Sequence, residues 1–250
     1  MKITIIGGHG QVAALTLPLL VRGGHHVTAV VRNPGHVEAV EVTGATVLVS
    51  DIEHLDELGT RRLLAGNDAV VWAAGAGGEN PDLTYAVDRD AAIRTIDAAV
   101  AEGVSRFVML SYVGSGRDHV PEDNPFHAYA DAKATANDHL RRTALNWTIV
   151  GPGQLTDNGR TGLIEYGDHV VKGETARGNV AELIAGVVGR TDLGGVTIRF
   201  RDGRITVWEA MESLARRAAG HPVALLREGR LLMDTPPRQT ALESRRARMK

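Results

Sequence analysis

The sequence predicts an α/β protein built on a doubly wound parallel sheet, and three observations carry that expectation. Short apolar runs alternate with longer segments of helical periodicity through the first 150 residues. These runs are apolar at successive positions, as strands covered on both faces must be. The first of them leads directly into a glycine-rich turn and then a helix pattern, in the order ITIIGGHGQVAAL.

Each element follows in order. Lys2–Ile6 reads as the first strand, and Gln11–Arg22 as a helix stopped by Gly23 and Gly24. His26–Val31 and Thr46–Val49 are the next two strands, with a helix over 53–65 after them. A fourth strand covers 68–73. A long amphipathic helix covers 88–102, its opening acids Asp88 and Asp90 read as suiting the helix dipole. Arg106–Leu110, a helix over 128–143 and a strand over 147–150 complete the series. After Gly151-Pro152-Gly153 the pattern loosens. Residues 154–173 read as a polar loop, 180–188 as a helix and 196–200 as a further strand. Thr206 and Glu209 form a capping box that opens a helix running to Ala219. The expected organisation is one domain over 1–250, with a core over 1–150, a smaller lobe over 151–226 on the same sheet, and an arginine-rich tail over 227–250.

Composition narrows the function classes. A net charge of −2 gives no global attraction to nucleic acid or to an anionic membrane. The absence of cysteine excludes disulfides, thiolate metal sites and a cysteine nucleophile. The ten histidines show no metal-ligand spacing, so no metal site is expected. The apolar stretch after Lys2 is too short for a signal peptide or a membrane span, which makes the cytoplasm the expected compartment. Homo-oligomerisation is not readable.

The chemistry concentrates at a few points. Gly7, Gly10 and Ala13 form a Gly-x-x-Gly-x-x-Ala turn between the first strand and the first helix. Glycines there let the backbone approach a pyrophosphate, which meets the amides of the helix start at Gln11 and Val12. This is the phosphate turn of a Rossmann-type fold. Arg32 follows the second strand with no acid beside it, which favours NADP(H) over NAD(H), because a ribose 2′-phosphate prefers arginine. Asp51 and Ile52 follow the third strand, where a carboxylate can accept from an adenine amino group. Ala73, Ala74 and Gly75 follow the fourth and let a cofactor lie against the backbone. Finally, Tyr129 and Lys133 stand four apart in YADAK, on one face of a helix, in a chain with only four tyrosines and four lysines.

With these pieces in order, the chain resembles the short-chain dehydrogenase/reductase superfamily, and within it the atypical, NmrA-like NAD(P)H-binding branch. The resemblance covers about residues 1–190, through segments such as GGHGQVA, VVRNP, DRDAAIRTIDAA, FVMLSYVGS, YADAKATANDHLR and NWTIVGPGQLTD. It implies an NADP(H) site at Gly7, Gly10, Arg32, Asp51, Ala73–Gly75 and Lys133, and a catalytic Ser111-Tyr129-Lys133 group. Reduction of a carbonyl builds charge on oxygen and needs a proton donor in place. A nearby lysine ammonium is expected to lower the tyrosine pKa for that task and to hold the nicotinamide ribose. Strand alternation is expected to turn Tyr112 away from Ser111. The expected function is an NADPH-dependent oxidoreductase acting on a small carbonyl, quinone or related acceptor. The alternative is a non-catalytic NADP(H)-binding redox sensor.

Overall fold

The computed structural model describes residues 1–78, 80–116 and 118–220, together with the backbone of Leu225–Arg227 and Arg230–Leu232, which pair as a short hairpin. Apart from that hairpin, the arginine-rich tail expected over 227–250 lies outside the described residues. In chain order the elements are β1 (Lys2–Ile6), α1 (Gln11–Arg22), β2 (His26–Val31), α2 (Val37–Glu41), β3 (Thr46–Val49), α3 (Glu57–Leu64) and β4 (Ala69–Trp72). A continuous helical stretch then comprises α4 (Pro81–Thr84), a π-helical segment (Tyr85–Ala91) and α5 (Ala92–Ala101). There follow β5 (Arg106–Leu110), α6 (His127–Arg141), β6 (Asn146–Pro152), β7 (Gln154–Thr156), β8 (Leu163–Tyr166) and β9 (Glu174–Ala176). The series closes with α7 (Arg177–Val187), β10 (Val196–Asp202), β11 (Ile205–Thr206) and α8 (Val207–Ala218).

A nine-stranded sheet runs in the order β11-β8-β10-β6-β5-β4-β1-β2-β3. From β3 to β10 every pairing is parallel, while β8 and β11 pair antiparallel at the far edge. The strand order reverses between β1 and β4, the position where such folds open a ligand crevice beyond the strand carboxyl ends.

The alternation of side chains explains why both faces are apolar. Ile3 and Ile5 of β1, Val71 of β4 and Val108 of β5 pack with Leu17 and Leu20 of α1 and with α7 and α8. Ile6, Val70, Trp72, Phe107 and Met109 point the other way, against Leu64, Ile96 and Leu140 of α3, α5 and α6. Each large side chain buried in these two layers contributes about 1.5–3 kcal/mol.

The expected boundaries differ from the structure at informative places. The helix expected from residue 53 begins only at Glu57, because the Asp56 side chain accepts from the Gly59 amide and caps it there. The helix expected from residue 88 begins at Pro81, capped by Asn80. Residues 154–173 are not simply loop: they hold β7 and β8, strands of three and four residues that are too short to show a period. The Thr206–Glu209 capping box forms as expected, with both of its reciprocal bonds.

Candidate active site

The carboxyl ends of β1, β2 and β4 surround a cleft of about 390 Å³. Gly7, Gly10, Arg32, Asp51, Ile52, Ala73, Ala74 and Gly75, all singled out from the sequence, line it. Gly7 has φ +85°, and a Cβ there would sit 2.7 Å from Ala74 Cα, so only glycine lets these two loops meet. Gly10 caps α1 with no side chain bonded across the helix end, which leaves the Gln11 and Val12 amides facing outward at its positive pole. Arg32 is exposed at the rim. The residues present therefore fit a dinucleotide: a backbone cradle that a Cβ would fill, an uncapped helix start and a basic rim.

Lys133 lies beyond this cleft, and the structure gives it a partner that the sequence reading did not assign. Its Nζ is 2.8 Å from Asp88 Oδ1, with the two side chains 5% and 0% exposed. Asp88 Oδ2 accepts from the amide of Ala76, a cleft residue, at 2.8 Å. Lys133 Nζ also lies 3.4 Å from the Leu110 carbonyl at the end of β5. Asp88 thus ties the lysine of α6 to the loop after β4. It stands inside the π-helical segment, a local widening of the helix that frequently marks functional positions. Its signal was present in the sequence. Asp88 shares a helix face with Ala91, Ala92, Thr95 and Ile96 at i+3, i+4, i+7 and i+8, all of them buried. An acid on a buried face asks for a cation.

Tyr129 sits one turn before Lys133 on α6, its ring centroid 5.7 Å from Lys133 Nζ. Burial raises the pKa of the tyrosine. Lys133 pulls it down and Asp88 pushes it up, and the outcome is a phenol held above its ordinary value. Lys133 acts in the expected sense, but the net lowering expected from it does not occur, because burial outweighs it. The ammonium is shared with a carboxylate, so it cannot offset desolvation. For Lys133 itself, burial acts to lower the pKa, but Asp88 and Tyr129 outweigh it, and the pKa is raised. The pair is an ammonium beside a carboxylate, next to a protonated phenol.

Ser111 is buried, and its Oγ accepts from Asn137 Nδ2 at 2.8 Å, as does Ser115 Oγ at the same distance. Asn137 follows Lys133 by four residues and continues the face of Tyr129 and Lys133. Both serine hydroxyls keep a proton to donate, because Asn137 uses their lone pairs. Tyr112, expected to face away, instead lies 5.5 Å from the Tyr129 ring, with Phe126 at 5.3 Å from Tyr112 and 5.2 Å from Tyr129. Ser111 and Tyr112 both reach α6, so strand alternation does not continue past Leu110, where β5 ends. Burial, then Asp118 and Tyr129, raise the Tyr112 pKa as well.

Known proteins of this shape are numerous. The Bacillus subtilis protein named "uncharacterized sugar epimerase YhfK" is 27% identical over 216 residues, covering 86% of this chain and all of its own length. The crystal structure of the oxidoreductase YlbE from Lactococcus lactis is 30% identical with a TM-score of 0.77, covering 86% of this chain and 96% of that one. The anaerobilin reductase ChuY from Escherichia coli O157:H7 shares the fold at a TM-score of 0.69 and 21% identity, covering 82% of this chain and 99% of its own. Residues 7–191 match the model of the NAD(P)H-binding family, and with the cleft, the glycine turn and these relatives in agreement, the chain belongs to that family.

Proposed function

We propose that the protein is an NADPH-dependent reductase of a small carbonyl, quinone or related acceptor, with Tyr129 as its proton donor. The observation that carries this reading is the Tyr129–Lys133–Asp88 arrangement on the far side of a loop that lines the cofactor cleft. The 30% identity to an oxidoreductase over most of both chains adds support.

Gly7, Gly10, Gln11, Val12, Arg32, Asp51, Ile52, Ala73–Gly75 and Lys133 would hold NADPH, which would supply the hydride. Arg32 at the rim, without an adjacent acid, supports the phosphorylated cofactor over NADH. Tyr129 gives its phenolic proton to the acceptor oxygen as charge develops there. A phenol whose pKa is raised stays protonated throughout the neutral range, which suits a donor and therefore the reductive direction. Lys133 steadies the phenolate left behind, and Asp88 holds the ammonium in place. Ser111, its lone pair occupied by Asn137, orients the acceptor with its remaining proton.

NADPH oxidation across a panel of quinones, aldehydes and ketones, with wild type and Tyr129→Phe side by side, tests the reading. Turnover that falls by about 10²-fold or more in the variant is the expected result for a general acid. Cofactor binding without turnover on any acceptor would move a redox sensor to the front. Interconversion of sugar stereoisomers without net NADPH oxidation would favour an epimerase, the activity in YhfK's name.

A further inference from the structure

The cofactor cleft holds a feature that the glycine turn and Arg32 do not account for. The imidazole rings of His9 and His36 lie stacked, with centroids 3.4 Å apart and planes within 9°. Both rings line the cleft, as do Arg32 and Asn33. His9 belongs to the glycine turn itself. His36 ends a short 3₁₀ turn after β2 that is fixed by Asn33, whose side chain accepts from the Gly35 amide at 2.8 Å. Two separate loops, one from each side of the β1–β2 crevice, thus bring their imidazoles into face-to-face contact beside Arg32.

The protonation of such a pair is constrained by its geometry. One imidazolium over a neutral imidazole is attractive, as a cation over an aromatic face is. Two imidazoliums at this separation repel one another, and the Arg32 guanidinium in the same cleft adds to the repulsion. The remaining charged residue of the lining is Asp51, and it is already engaged. Its Oδ2 is 3.2 Å from His54 Nδ1, and its Oδ1 accepts from the Glu53 amide. Glu38, the acid nearest His36 along the chain, is exposed on α2. An anion bound beside the two rings and Arg32 would offset that repulsion.

We propose that His9 and His36 are a proton-coupled reader of the ribose 2′-phosphate. Binding of a 2′-phosphorylated adenine nucleotide draws a proton onto the histidine pair, whereas the unphosphorylated nucleotide does not. Selection of NADP(H) over NAD(H) then strengthens as pH falls, and Arg32 supplies only the pH-independent part of the selectivity. This inference rests on the dinucleotide reading of the cleft but not on any catalytic role.

Calorimetric titration with 2′,5′-ADP and with 5′-AMP, in buffers of different ionisation enthalpy at about pH 7.5, tests it. A phosphate monoester is already mostly dianionic there, its second pKa being about 6, so proton uptake reports the histidines. Net uptake with 2′,5′-ADP and none with 5′-AMP is the expected result. The Kd of 2′,5′-ADP should then weaken with rising pH, by up to about tenfold per pH unit for each proton taken up, while the Kd of 5′-AMP stays flat. The His9→Asn/His36→Gln double variant should lose the uptake and keep 5′-AMP binding. Binding of 2′,5′-ADP without uptake in the wild type would overturn the proposal and leave the cofactor site standing. Uptake that survives in the double variant would do the same. Failure of the wild type to bind either nucleotide would remove the dinucleotide reading together with the proposal.

Discussion

Two buried cations, one on β5 and one on the helix that follows it, have opposite characters. Arg106 opens the strand and is 1% exposed. It donates to Asn146 O at 2.7 Å, Thr148 Oγ1 at 2.5 Å and Val187 O at 3.0 Å, all uncharged oxygens. Burial lowers its pKa to about 10, against a weaker opposing pull from Asp192. Lys133 lies against the other end of β5 and faces a carboxylate, and its pKa is raised. Burial of a charge is thus no mark of function by itself. Arg106 ties β5 and β6 to the end of α7, at the amino ends of the strands, away from the cleft. Lys133 adjoins the crevice, with a phenol and a cofactor loop within reach.

The substitution expected to matter most is Lys133→Met. It strands the Asp88 carboxylate in the interior, so denaturant unfolding should show a loss of about 3–5 kcal/mol, and any turnover should fall by about 10³-fold. The double change Asp88→Asn/Lys133→Met sharpens the comparison, because it removes both charges together. Much of the stability should return while turnover stays absent; a return of both would show that the pair is only structural. Arg106→Met should cost about 2–4 kcal/mol through three carbonyl or hydroxyl oxygens left without a donor, and the Kd for NADPH should not move. A weakened Kd in that variant would break the contrast between the two ends of the strand. The smallest effect is expected for Tyr112→Phe, which keeps the ring against Tyr129. Turnover should stay within about threefold of wild type, under 1 kcal/mol of barrier, and a collapse there would transfer the donor role from Tyr129 to Tyr112.

Much of this architecture was legible in the sequence, for definite reasons. The interior strands of a parallel sheet bury both faces, so β1, β2 and β5 announce themselves as apolar runs with correct ends, and β3, although an exposed edge strand, keeps an apolar run of its own. The glycine turn is legible because only glycine permits the contact between Gly7 and Ala74. Other features depend on distant contacts. Asp88 reads locally as a helix-opening acid, and only α6 reveals that it faces a lysine 45 positions later. The Tyr112 orientation depends on where β5 stops, and an alternation rule cannot see that stop. The His9–His36 stack joins two loops 27 residues apart, and no spacing rule relates them. β8 escaped because a strand of only four residues, LIEY, is too short to show a period amid the polar residues around it.

The claim at the centre of this account is that Asp88 and burial together keep Tyr129 protonated, and it can be measured without a substrate. Ultraviolet titration of phenolate in the wild type, with Tyr129→Phe subtracted, isolates the Tyr129 ionisation. A step above the ordinary tyrosine value of 10.0 is expected, and a lower step in Asp88→Asn, where the Lys133 charge is no longer neutralised. A Tyr129 step below the ordinary value in the wild type, or one that Asp88→Asn leaves unmoved, would contradict it.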